Sequence, residues 1–250
     1  MIGTIAQKRG LKLTGIILFS LILVFGCYWF MFFNPPMIKK LQKSAGNIPL
    51  PGKENALIVK SGTILPFQTF DHSLPEERGA AALVIGKDAF YLYVFFEDSY
   101  ISNTADRHND MLFGLGDTLE FFLQPSGRTD YYELQLAPPD GFTLQLHILC
   151  LDALRKLPLE EKVFESGMIT KVVVNREENW WYAKMIIPYK GLNMTREQAE
   201  GSRFAVARYN YSWNEERQRL SNPELSMTVY FEKLMRDGFH RPKDWHIITK

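Results

Sequence analysis

From residue 57 to the C-terminus the chain is a succession of short β-prone runs cut by turn residues. This pattern limits the fold more than any other feature of the sequence. Residues 57–59 (LIV), 81–85, 90–97 (FYLYVFFE), 118–123 (TLEFFL), 131–137 and 142–149 follow one another. Residues 169–175, 181–187, 204–211 (FAVARYNY), 227–231 and 247–249 continue the series. Gly86-Lys87-Asp88, Pro125-Ser126-Gly127, Pro138-Pro139-Asp140-Gly141 and Arg176-Glu177-Glu178-Asn179 mark turns between them. Helical character is confined to short stretches near 152–162, interrupted by Pro158, and 191–200. About ten short strands with frequent turns predict an all-β, two-sheet antiparallel sandwich. Residues 98–116 form a long loop, a length that inside a compact domain is often functional.

Within 116–141 two runs flank a turn cluster, which predicts an antiparallel pair. Side chains alternate with period two along a strand. Leu119, Phe121 and Leu123 therefore share one face, and Glu120 and Phe122 the other. A lone carboxylate is costly to bury. Glu120 thus faces water, pairs with a cation such as Arg208, or meets a ligand.

The N-terminal part is of a different kind. Residues 13–33 are uncharged and strongly apolar, and about 20 such residues cross a bilayer. They predict a single-pass anchor. A cleaved signal peptide lacks a small-x-small site after the run. A lipoprotein signal at Val24-Phe25-Gly26-Cys27 has a bulky Phe25 and apolar residues still to follow. Cationic residues flank both ends and do not orient the segment. Asn34-Pro35-Pro36 is expected to end the helix. The expected layout is a basic tail at 1–12, the anchor at 13–33, a Pro/Gly linker at 34–53 and the sandwich at 54–250. The sandwich is expected to lie in the periplasm or outside the cell, tethered to the membrane.

The formal net charge is +1, and residues 1–43 hold six cations and no acid. The body is therefore mildly acidic, at about −5, which argues against nucleic-acid binding through a broad basic face. Cys27 and Cys150 lie in different regions and cannot pair, so the body is held by its core. Cys150 reads as a small buried hydrophobe. Trp181 reads as core, Trp180 as an outer-face ring, and Trp213 as a loop ring able to stack on a ligand.

Several segments in order resemble the family 9 carbohydrate-binding module and its DOMON-like relatives in a wider sugar- and haem-binding β-sandwich superfamily. They are 82–98 (ALVIGKDAFYLYVFFED), 117–123 (DTLEFFL), 131–141, 181–189 (WYAKMIIPY), 203–211 and 240–247 (HRPKDWHI). The resemblance spans roughly residues 55–250 and leaves out the N-terminal part. It implies a non-catalytic module whose partner is a carbohydrate or glycoconjugate; a haem-binding electron-transfer sandwich and a ligand-free scaffold for a protein partner are the alternatives. In that family two aromatic rings clamp a terminal sugar, and polar groups on the sheet bind its hydroxyls. The resemblance places the rings at Phe113 and Phe239, the acid at Glu120 and a polar contact at Gln135. Known modules carry Trp at both ring positions, and Phe covers less area and has no N–H. Trp245 falls where the family has an aromatic core residue.

Two further expectations concern cofactors. Asp106, His108 and Asp110 alternate in the long loop, a spacing open to Ca²⁺ through the carboxylates, although a solvated polar loop is the simpler reading. Related sandwiches hold haem, for which His147, His240, Met111 and Met235 are available axial ligands. No phosphate loop, nucleophile elbow or His-x-x-x-His motif is present.

Overall fold

The computed structural model describes residues 35–48, 50, 57–230 and 238–250. The expected anchor at 13–33 and Met235 lie outside them. Among the described residues no helix is long and apolar enough to cross a membrane. The chain divides into Met1–Met37 and Ile38–Lys250, and every described strand belongs to the second unit.

In chain order the elements are α1 (Pro35–Ser44), β1 (Ile58–Lys60), β2 (Ile64–Pro66), β3 (Gln68–Thr69), β4 (Gly79–Ile85) and β5 (Ala89–Glu97). Then come β6 (Thr118–Gln124), β7 (Tyr131–Leu136), β8 (Thr143–Ile148), α2 (Leu151–Lys156), β9 (Ile169–Asn175) and β10 (Trp180–Pro188). The rest are α3 (Arg196–Ala199), β11 (Arg203–Asn210), β12 (Trp213–Asn214), β13 (Arg219–Leu220), β14 (Glu224–Met227) and β15 (His246–Thr249). Two sheets carry the fold. The larger runs β1-β15-β11-β6-β7-β8, with β14 beside the far half of β11 and β3 beside β14. The smaller runs β2-β4-β5-β10-β9. All pairings are antiparallel except β1 with β15.

Period-two alternation builds the core between the sheets. Leu119, Phe121 and Leu123 of β6 and Phe204 and Val206 of β11 meet Leu92, Val94 and Phe96 of β5 and Trp181, Ala183, Met185 and Ile187 of β10. Burying side chains of this size stabilises by about 1.5–3 kcal/mol each, before chain entropy is subtracted. The outer face of the larger sheet is also covered. Phe122, Tyr131, Leu144, Leu146, Ile148, Ala205 and Ala207 pack there against Leu112, Phe239 and Trp245 from loops. Trp245 and Trp181 are fully buried, as expected.

One end of the sandwich is closed by buried charge. Arg208 Nη2 donates to Asp98 Oδ2 at 2.9 Å and to Asn210 Oδ1 at 2.7 Å, and its guanidinium lies 4.5 Å from the centre of the Phe96 ring. Asp98 also accepts from Trp181 Nε1 at 2.9 Å. Asp117 accepts from the backbone of Ser102 and Tyr211, which ties both ends of the long loop to β11. Gly116 sits at φ +145°, and a Cβ there would come within 2.2 Å of the Ser102 carbonyl oxygen, so the loop closes only over glycine.

Three expectations are corrected. Residues 35–44, read as linker, form α1, with Ile38 and Leu41 buried. Proline is tolerated in a first helical turn, where no backbone N–H is needed. Gln42 lines a cavity with Phe95 and Trp180 of the smaller sheet. Cys150 is exposed, not buried. Its strand stops at Ile148, and Cys150 becomes the N-cap of α2, its Sγ accepting from Ala153 N at 3.4 Å. Arg208 does not pair with Glu120. It points into the core face of β11, opposite to Glu120, and pairs with Asp98.

Candidate functional site

The β6–β7 register sets Glu120 opposite Gln135 and Phe122 opposite Glu133. All four side chains stand on the outer face of the larger sheet, and all are buried. Gln135 Nε2 donates to Glu120 Oε1 at 3.0 Å and to Glu133 Oε1 at 2.5 Å, so one amide bridges two carboxyl groups. The amide nitrogen is thus turned toward the two carboxyl groups. Gln135 Oε1 then points elsewhere and has no hydrogen-bond partner among the described residues.

Gln135 and Glu133 lie at the floor of a cleft of about 400 Å³. One wall is Leu144 and Leu146 of β8. A second is Met111 and Phe113 of the long loop. A third is the segment after β8, through Leu154, Arg155, Leu157, Leu159 and Lys162, and His240 closes one corner. The third wall is tied to β8 by bonds from His147 N to the Lys162 carbonyl and from Phe164 N to the Gln145 carbonyl. Lys162 Nζ donates to the Leu154 carbonyl at 2.9 Å, which holds the cation beside the floor.

Burial dominates the electrostatics. It pushes Glu133 up to about 7, opposed by the Gln135 bond and the charge of Lys162. It raises Glu120 well above the ordinary carboxylate range, and the neighbouring Glu133 charge adds to the rise. Two carboxyl groups on one donor cannot both carry charge cheaply. The same burial, with Lys162, lowers His240 to about 4, so its imidazole is neutral. His240 Nδ1 lies 3.0 Å from the Tyr131 hydroxyl, and its Nε2 lies 3.7 Å from Glu133 Oε2. At neutral pH the floor is therefore a network of donors and acceptors in which Glu120 and His240 are neutral and Glu133 is only partly charged. Such a network can pair with hydroxyls.

The structure brings some expected residues together and separates others. Gln135 and Phe113 line the cleft, and Glu120 lies directly behind Gln135. Phe113 is half-buried, and its ring lies 5.5 Å from that of Tyr209. Phe239 is 4% exposed and stacks on Phe70 at 5.6 Å, within the outer core and away from the cleft lining. Trp213 lies in the β12–β13 hairpin, 6.0 Å from the Tyr100 ring. Trp180 is half-buried on the outer face of the smaller sheet, its Nε1 donating to Glu178.

The loop trio is dispersed in its bonding. Asp110 pairs with Arg107 at 2.9 Å, and His108 Nδ1 meets Thr143 at 3.0 Å. No group of three side chains suited to a metal ion occurs among the described residues. His147 Nε2 lies 2.6 Å from Asp130 Oδ2, outside the cleft, whereas Met111 and His240 both line it. Glu133, Lys162 and His240 belong to the site without having been singled out for it. Period two would have placed Glu133 beside Gln135, but nothing local announces Lys162, which arrives from a later segment.

No family model matches the chain, and no curated protein matches it. Solved structures do. A crystal structure of a candidate carbohydrate-binding protein from Bacteroides uniformis is 13% identical, with 75% of this chain and 85% of that one covered, at a TM-score of 0.56. A family 9 carbohydrate-binding module from Caldicellulosiruptor kristjanssonii in complex with cellotriose is 10% identical, covering 78% and 93%, at a TM-score of 0.48. The same organism's module in complex with glucose is 10% identical, covering 77% and 95%, at 0.46. The likeness to the Bacteroides protein shows that this chain shares that protein's fold.

Proposed function

We propose that the chain is a non-catalytic carbohydrate-binding protein whose ligand enters the cleft above β7 and β8. One observation carries this reading. Gln135 is fully buried at the floor of the cleft, and its Oε1 has no donor among the described residues. A buried acceptor without a partner costs on the order of 1–3 kcal/mol, which a ligand hydroxyl would recover. Phe113 stands at the wall, where a ring can cover the C–H face of a sugar. Glu133, only partly charged at neutral pH, and the neutral His240 add polar groups that suit hydroxyls. The fold shared with the Bacteroides protein is consistent with this role.

The apolar run at 13–33 is read as a membrane tether that presents the sandwich outside the cytoplasm, on the strength of its length and lack of charge. Binding of the full-length chain to a glycan array, followed by calorimetric titration, tests the function. The detergent should carry no sugar headgroup, since one would compete for the cleft. The expected result is saturable binding to a defined glycan that Gln135→Leu abolishes. An empty array, or a hit indifferent to Gln135→Leu, would falsify the assignment.

A further inference from the structure

We infer that the cleft selects a sugar unit bearing a methyl group, a 6-deoxy sugar or an N-acetyl sugar, over the plain hexose. The inference rests on the sugar-binding reading above and deepens it. Its basis is how little of the cleft can pair with a hydroxyl.

The apolar lining comes from three separate segments. Leu144 and Leu146 stand on β8, Met111 and Phe113 on the long loop, and three leucines, Leu157 among them, on the segment after β8. None of these side chains makes a strong hydrogen bond. The polar lining groups are largely engaged already. Gln135 Nε2 is taken by Glu120 and Glu133, and His240 Nδ1 lies 3.0 Å from the Tyr131 hydroxyl. Lys162 Nζ donates to the Leu154 carbonyl, and Arg155 is exposed and has an interaction of its own. Gln135 Oε1 is an acceptor at the floor with no donor among the described residues.

A plain hexose carries hydroxyls all around its ring edge. Seated with one of them on the floor acceptor, it sets others against leucine. A hydroxyl buried in that way gives up its water without a replacement. A methyl group in the same place gains from the burial. In a 6-deoxy sugar the methyl stands where the hexose has its CH₂OH group. In an N-acetyl sugar the amide N–H donates to Gln135 Oε1, and the acetyl methyl turns to an apolar wall. Both sources offer the same pairing of one donor with one methyl.

The test titrates the full-length chain by calorimetry with glucose, galactose and mannose, and with the 6-deoxy and the N-acetyl counterpart of each. At least one methyl-bearing sugar is expected to bind about tenfold more tightly than its parent, the worth of one methyl in a hydrophobic pocket. Which counterpart gains distinguishes the two sources. Met111→Gln and Leu157→Asn should each narrow the difference. Met111→Gln is the safer variant, because Met111 is 49% exposed and its loss leaves the core intact. Parent sugars that bind as tightly as their counterparts overturn the inference and leave the sugar-binding reading standing. A preference that survives both substitutions overturns it as well. If none of these sugars binds, the glycan array decides. Hits confined to glycans with deoxy or N-acetyl units support the inference, and hits on glycans without them overturn it. An empty array overturns it together with the reading it rests on.

Discussion

Glu120 and Glu133 sit on neighbouring strands and share a single donor, the side-chain amide of Gln135, at 3.0 and 2.5 Å. Both acids are buried on the outer face of the larger sheet. Their arrangement holds only while the amide stands between them. Gln135→Leu keeps the volume roughly constant but removes the donor from two buried acceptors. The expected cost is about 1–3 kcal/mol. For a chain of this size that corresponds to a fall in Tm of about 2–4 °C per kcal/mol. Thermal unfolding of the variant, with Leu134→Ile as a packing control, measures it. An unchanged Tm would show that the acids find other partners.

The same burial gives stability a defined pH dependence. The folded state raises Glu133 to about 7 and Asp117 to about 8. It lowers His240 and His246 to about 4. Between about pH 4.5 and 6.5 the two classes oppose each other: the folded acids hold protons that the unfolded chain has lost, and the unfolded histidines hold protons that the folded chain refuses. Above pH 6.5 the unfolded histidines are largely neutral and only the acids remain. The folded state then binds more protons than the unfolded one, so stability falls as pH rises from about 6.5 to 8. A series of Tm values across that window should decline, and Glu133→Gln should flatten the lower part of the decline.

The sandwich was legible because its signals are local. Alternation along β6 placed Leu119, Phe121 and Leu123 in the core and Glu120 with Phe122 on the other face, and the structure agrees. Turn residues placed the β9–β10 hairpin and the break after β6. What could not be read depends on distance in sequence. The meeting of Glu120 with Gln135 requires the register across residues 125–130, and Lys162 reaches the cleft from the far side of β8. Two local readings failed because a competing rule prevailed. Pro35 and Pro36 suggested a break, yet they occupy the first turn of α1. Cys150 has apolar neighbours, yet it falls after the last residue of β8 and caps a helix. Phe239 shows the limit of a family pattern: the position is aromatic, but its ring is spent on packing against Phe70 and Phe122.

Arg208 and Asp98 form the buried ion pair that closes one end of the sandwich, with side chains 1% and 0% exposed. Such a pair adds little net stability against a well-packed apolar substitute, but removal of one partner strands the other charge. Arg208→Met should therefore cost about 3–5 kcal/mol. The double variant with Asp98→Asn should recover part of that loss, since the stranded charge is gone. Urea unfolding of the single and double variants decides the point. A double variant no more stable than Arg208→Met would place the cost in lost packing on Phe96.

Phe113 and Phe239 separate binding from folding. Phe113 is half-buried at the cleft wall, with its ring 5.5 Å from that of Tyr209. Phe113→Ala should weaken sugar binding about three- to tenfold, the worth of one stacked ring, with little change in Tm. Phe239 is buried among Phe70, Phe122 and Tyr209. Phe239→Ala should open a cavity and cost about 3–5 kcal/mol, while any fraction that remains folded binds with nearly the original affinity. Calorimetric affinity and Tm measured on both variants give two independent readouts. If Phe239→Ala instead lost affinity at unchanged Tm, the ring would belong to the binding site and the cleft would extend past His240 toward Phe70.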